Sequence, residues 1–413
     1  MSFRKTPTQW LSVFFYMFAG LPLIYLPDRP ELSRDIRMVA LIVLTALVML
    51  ADSSRRQFFA NCRQLPPIVK VCLSTIVVLM LASTFKMMQD TFGVTLFGKA
   101  PDYLGVMTWL LFLGFGIAFM RDAIRLLLSR VSLYIFLLII CISLFTNIFY
   151  ITHGLRVAGV MFQPTTMAMY AAFGAVICLH QFRSKQKDRI TQVMAGLGLL
   201  LSTATVMLCQ SRVSYIVLAI CLSAVALHDI KKRPKQTVLL SLLVVVIAAL
   251  PHLRPGFFER FQSDSVNRGA SYRFELYKTS VPDLARHNIV LGNGPGSLPI
   301  AINNPTVVPE EIAATLKQGE SFASTHDLFL DYAYFFGCLA MILLMGGSVL
   351  AVKTGYLTPG PLRLGGLLLF FALFSNALLN IPSIELTSLY FVVVLGLIGS
   401  GFKVTQLKKH IGS

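Results

Sequence analysis

Residues 190–229 form a 40-residue, largely apolar block split near its middle by Gln210, Ser211 and Arg212. As one helix the block would run about 60 Å, twice the thickness of a bilayer's hydrocarbon core. The polar triplet therefore reads as a turn, and the block as two membrane spans at 190–207 and 211–229. The same length rule, roughly 20 apolar residues per crossing, gives further spans near 10–27, 35–51, 67–85, 103–120, 131–150, 163–182, 236–250, 327–352, 364–380 and 385–402. Composition agrees: 55% of the 413 residues are hydrophobic, 13% are charged, and mean hydropathy is +0.71. The expected fold is an all-α polytopic membrane protein of about twelve transmembrane helices. The opening MSFRKTPTQW leads straight into apolar sequence and reads as the start of an uncleaved first span.

Twelve spans would place both ends on one side. The segments sharing that side, among them 55–63, 121–130, 183–189, 231–235 and 403–410, then hold 22 of the 36 Lys and Arg, against seven in the short connections opposite. Short basic connections mark the cytoplasmic side. The N- and C-termini are thus expected inside, and residues 251–325 outside as one large loop between helices nine and ten. The chain divides into 1–250 (helices one to nine), 251–325 (the outer loop with short helices), 326–402 (helices ten to twelve) and 403–413 (a cytoplasmic tail). The formal charge of +17 is accounted for by these clusters, so nucleic acid is not the expected partner; membrane lipid is. Seven cysteines are scattered without a CxxC pair and none lies in 251–325, which argues against a disulfide-stapled loop or a thiolate metal site.

Within this frame a few polar residues stand out. Arg212 opens a span at its outer end, inside the notch Gln210, Ser211 and Ser214. Such an arginine either snorkels to the headgroups or faces the bundle interior as a docking point for phosphate oxygens, which its planar donor fork fits. In the loop, SYRFELYKTSV spaces Tyr272, Phe274, Leu276 and Tyr277 for a short helix bearing Arg273, with Pro282 expected to end it. Arg260 and Arg286 lie in the same basic half-loop. GNGPGS (292–297) lacks the lysine and strand–helix context of a nucleotide loop and reads as a glycine turn that lets the chain pass close under a helix. His326 and Asp327 stand at the mouth of span ten. They either mark where a helix leaves the membrane surface or hold an imidazole over a reaction, as a group able to take a proton near neutral pH. No carboxylate or cysteine stands at metal-ligand spacing from His326, and Asp331 fits no such motif. Glu385, at the outer mouth of span twelve, is a further carboxylate candidate.

Three features together resemble the O-antigen ligase and polymerase superfamily of membrane glycosyltransferases (WaaL and Wzy type). They are the Ser211–Arg212 pair opening a span, the R-x-x-x-Y of Arg273 to Tyr277 ahead of a G-x-G-P-G-like turn, and the H-[DN]-x-x-L run from His326 to Gly337. The resemblance covers 190–350. It implies a GT-C-like membrane enzyme of the bacterial inner membrane whose active site faces the periplasm. A glycan on undecaprenyl diphosphate would move en bloc to an acceptor hydroxyl, on lipid A–core in the ligases or on another lipid-linked repeat in the polymerases. It further implies His326 as the base, Arg212 and Arg273 on the diphosphate, and neither metal nor cofactor nor obligate protein partner. Asp327 departs from the family pattern, where asparagine is frequent; a carboxylate there would raise the imidazole's affinity for a proton. One large outer loop rather than two favours the ligase. Twelve spans would also suit a transporter, but the two halves share no repeated motif or paired interrupted spans.

Overall fold

The computed structural model describes residues 9, 30–90, 100–152, 157–159, 163–184, 188–234, 237–238, 240–245, 263–287, 289–295, 297–304, 306, 308–317, 324–325, 327–358, 360–379 and 384–411. Helix is the only regular structure among them. The chain is a multi-pass membrane protein, but the expected count of twelve spans is wrong. Six helices among the described residues are long and apolar enough to cross a bilayer: Pro67–Lys86, Pro164–Arg183, Arg189–Leu208, Arg212–Asp229, Cys338–Leu357 and Leu362–Leu379. A seventh exists only if the pair Ile36–Leu50 and Asp52–Gln64, bent by 79° at extended Ala51, counts as one span.

Three further apolar stretches among the described residues, Gly105–Phe119, Arg130–Thr146 and Leu386–Gly401, are not among the six. The first and last belong to the longer helices Ala100–Phe119 and Ile384–Ile411. Arg130–Thr146 is a 17-residue helix, about 26 Å long and short of the ~30 Å hydrocarbon core. Span ten is not continuous: Leu328–Phe336 ends at Gly337, whose φ of +92° breaks the helix before Cys338–Leu357 begins. The run 10–27 lies outside the described residues and 236–250 is described only in part. The sidedness drawn from twelve crossings, with cytoplasmic ends and 251–325 as an outer loop between helices nine and ten, falls with the count.

Where the split was expected at 208–212, the structure has it. The Arg189–Leu208 helix stops, Gln210 takes a positive φ of 53°, and a new helix starts at Arg212. The two-span reading of the 40-residue block therefore holds. Lipid-facing stripes are visible as exposed apolar residues at helical spacing: Val39, Val43, Leu47 and Leu50 on one helix, Ile342, Met345 and Val349 on another. Water would not tolerate such stripes, whereas lipid does. Pro164–Arg183 is the most buried of the six, with 14 of its 20 residues buried.

Helices approach closely through small residues, as they do in membranes. A Cβ on Gly174 would lie 1.7 Å from the Phe136 ring. Hydroxyls within the spans satisfy themselves on the preceding turn, Ser202 on the Gly198 carbonyl at 2.6 Å and Thr203 on Leu199 at 2.8 Å.

Beside the main bundle lies a smaller apolar cluster of Leu276, Leu284, Leu298, Ile302, Ile312, Ala333 and Tyr334. It packs the Ser263–His287 helix and the short helices Ser297–Ile302 and Glu310–Lys317 against Leu328–Phe336. Pro282 does not end its helix, as expected from sequence, but sits inside 25 helical residues. Leu276 and Leu284, buried on either side of it, hold the helix through the lost backbone bond.

Candidate functional site

Three segments converge at one end of the bundle. At the start of Arg212–Asp229, the Ser214 hydroxyl donates to Asn376 Oδ1 at 3.1 Å, and Ser211 bonds Ser214 at 3.2 Å. Asn376 belongs to the last turns of Pro361–Leu379 and donates back to the Ala372 carbonyl at 2.6 Å. Two residues earlier, Phe374 meets Phe329 with ring centroids 5.5 Å apart, and Phe329 also meets Tyr390 at 6.4 Å. The beginning of Leu328–Phe336 and the beginning of Ile384–Ile411 are thereby brought to the same end as Arg212. Glu385 lies in the first turn of that last helix; its side chain is outside the description.

Leu328–Phe336 is built to hold its own N-terminus. Asp327 is the N-cap, its carboxylate accepting from the amides of Phe329 at 2.8 Å and Leu330 at 3.2 Å. Capping of this kind needs a short side-chain oxygen, which Asn also supplies. One turn on, buried Asp331 accepts from the Thr325 amide at 3.0 Å and the Thr325 hydroxyl at 2.6 Å. Asp327 and Asp331 therefore grip the chain on both sides of His326. Position 326 itself lies outside the described residues, as does Arg260. Burial raises both carboxyls above the usual range, Asp331 to about 6, against hydrogen bonds that pull the other way.

The Ser263–His287 helix brings Arg273 and Tyr277 to the same place. Both are half-buried and one turn apart on one face. Burial raises the Tyr277 hydroxyl, and the charges of Asp327 and Asp331 raise it further, which puts Tyr277 in electrostatic range of the His326 segment. Arg273 opposes that rise from its place one turn away. Burial also lowers the Arg273 guanidinium, without discharging it near neutrality. Arg286, exposed and 13 residues further along, stands about 20 Å away on the same helix. It is not brought into this group.

A second tie fixes the loop helix to the short one. The Tyr334 hydroxyl donates to the Asp283 carboxylate. The turn at 289–294 closes over the other end: Asn293 N donates to the Tyr334 carbonyl at 2.7 Å, Gly294 N to Phe335 at 3.1 Å, and Cys338 N to Ile289 at 2.9 Å. Gly292 and Gly294 adopt φ of +69° and +90°. A Cβ on Gly292 would lie 2.5 Å from the Phe335 backbone. The glycines thus serve close backbone approach rather than phosphate.

The sequence did not single out Asp331, Thr325, Asp283 or Asn376 as members of this end. An asparagine inside an apolar span was the signal available for Asn376. Asp331, four residues past the N-cap, carried none that distinguishes a buried carboxylate from a solvated one.

Chemically, this end offers two guanidinium groups on separate helices and two carboxylates fixing a histidine-bearing turn. Guanidinium groups such as these can meet anions. Residues 197–345 match the Wzy_C family model, described as O-antigen ligase. The match contains Gln210, Arg212, Arg273, Tyr277, the glycine turn, His326 and Asp327, and stops before Glu385. No curated protein gives a significant match to the chain.

Proposed function

We propose that the chain is a ligase-type membrane glycosyltransferase that moves a glycan en bloc from undecaprenyl diphosphate to a sugar hydroxyl of lipid A–core. What supports this reading is that the segments bearing Arg212 and Arg273 are linked through Asn376, Phe374, Phe329 and Tyr277 to the helix that Asp327 caps, all but Phe374 and Asn376 within the matched region 197–345. The acceptor oxygen attacks the anomeric carbon and the bond from that carbon to the diphosphate oxygen breaks. The acceptor proton passes to the His326 imidazole. The departing undecaprenyl diphosphate carries the electron pair, and its charge is met by Arg212 and Arg273, fixed cations in a partly desolvated site. Tyr277, one turn from Arg273, and Gln210, in the turn before Arg212, line the donor's path. The site faces the periplasm from the bacterial inner membrane, where both lipid-linked substrates are presented.

The test is incubation of purified protein with undecaprenyl-diphosphate-linked glycan and separated lipid A–core, read as a gel ladder. Glycan moved onto core is the expected result. Longer lipid-linked chains formed without core would replace the ligase by a polymerase, and no transfer to any hydroxyl would reject the enzyme.

A further inference from the structure

At the opposite end of the bundle, about 24 Å along the Arg212–Asp229 helix, four membrane-spanning helices end around a cavity of about 780 Å³. Its rim carries Arg183, Arg233, Arg363, His180 and His228, and no carboxylate is among the described residues lining it. We propose that this cavity binds the phosphate headgroup of an anionic phospholipid, with the first part of an acyl chain lying along its apolar wall.

The basic groups are held in place rather than splayed. Asp229, buried behind them, takes Arg183 in a two-pronged pair at 2.5 and 2.7 Å and the His228 ring at 2.8 Å. Arg233 donates to the Arg183 carbonyl, and Arg363 Nε to the Thr358 carbonyl at 3.2 Å. Three arginines from three different segments are thus oriented around one opening, a geometry suited to a phosphodiester.

Depth separates a lipid from a soluble anion. Arg363 and His228 sit at span ends, at headgroup level. The wall residues Ile220 and Phe371 lie eight residues inward on their helices, roughly 12 Å towards the hydrocarbon. Val352 continues the wall on a third span. A free phosphate would use only the rim, whereas a phospholipid uses both. Basic pockets between membrane helices bind acidic headgroups on these grounds, and the volume is that of a small-molecule site.

The experiment is native mass spectrometry of the purified full chain in neutral detergent. Dioleoylphosphatidylglycerol, dioleoylphosphatidylcholine and inorganic phosphate are added in separate arms. Phosphatidylglycerol should be retained well above phosphatidylcholine, and Arg363→Gln and Arg233→Gln should each weaken that retention about fivefold. Arg56→Gln, an exposed arginine elsewhere, should leave it unchanged. Equal retention of the two lipids overturns the proposal, as does equal behaviour of Arg363→Gln and Arg56→Gln. Displacement of phosphatidylglycerol by millimolar inorganic phosphate would make this a soluble-anion site and overturn the lipid. Because only binding is read, the outcome is independent of whether glycan transfer is found.

Discussion

Asp331 accepts both the amide and the hydroxyl of Thr325, at 3.0 and 2.6 Å, from a buried position in a short helix. One carboxylate thus fixes the residue immediately before His326. Asp327 fixes the turn immediately after it. The residues flanking position 326 are held by these bonds, and the consequences can be measured.

Asp331 stands in the helix ahead of the Cys338–Leu357 span, and burial lifts its carboxyl from the ordinary 3.8 to about 6. A carboxyl raised on folding binds its proton more tightly in the folded chain. Its contribution is unimpaired below about pH 4, is lost as pH rises to about 6, and stays lost above that. The cost at neutrality is about 3 kcal/mol. Asp331→Asn keeps an oxygen for both Thr325 bonds and removes the titration. Melting of wild type minus mutant in detergent between pH 4 and 7 should therefore fall with rising pH and flatten above 6. A difference that stays level across that window would place Asp331 in water.

Gly337 and Gly346 offer a matched pair. At Gly337 the φ is +92°, and a Cβ would lie 1.8 Å from the Val290 carbonyl oxygen. Gly337→Ala should cost about 3 kcal/mol or more from backbone strain and displacement of the 289–294 turn, reducing folded protein in the membrane. At Gly346, inside the Cys338–Leu357 helix, a Cβ meets nothing within 4 Å. Gly346→Ala should be neutral or stabilise by up to about 1 kcal/mol. Thermal melts of the two purified variants compare them directly.

The same glycines show what could be read from sequence and what could not. GNGPGS announces a turn wherever it occurs, because positive φ is a local demand. The break at Gly337 has no such announcement: LFLDYAYFFGCLAMILLMGG is apolar apart from Asp331 and its tyrosines, and glycine is ordinary in membrane helices. What breaks the helix is the docked 289–294 turn, some 45 residues earlier in the chain, which local patterning cannot report. The twelve-span count failed for the same reason. An apolar run states that a segment is buried or in lipid, and the 17-residue helix Arg130–Thr146 shows that such a run need not make a full-length span. Conversely, the Gln210–Arg212 split was legible because length alone forces it. Pro282 was misread because a proline's local veto yields to leucines packed on both sides.

Arg273 is one-third of the proposed catalytic group. Lysine at 273 keeps the charge and loses the planar fork that can take two phosphate oxygens at once. Arg273→Lys should leave the protein folded and lower glycan transfer at least tenfold, about 1.4 kcal/mol of transition-state stabilisation. Initial rates at saturating and limiting donor check it. Wild-type turnover under both conditions would remove Arg273 from the site.

His326 carries the sharpest test, because the bland and the functional readings separate. As a residue marking a helix entrance it would matter only for stability. That work is already performed by its neighbours: Asp327 caps the helix and Asp331 holds Thr325. His326→Ala should therefore yield folded protein with an unchanged melting temperature. As the base for the acceptor hydroxyl, its loss should lower transfer 10²–10⁴-fold, the range about which a positioned acid–base group contributes. Donor binding should survive, since Arg212 and Arg273 are untouched. Three measurements on one variant decide it: melting, retention of undecaprenyl-diphosphate-linked glycan, and transfer to lipid A–core. Near-normal transfer, or a loss of activity that tracks loss of folded protein, would return position 326 to a structural role and move the search for the base to Glu385, at the same end of the bundle.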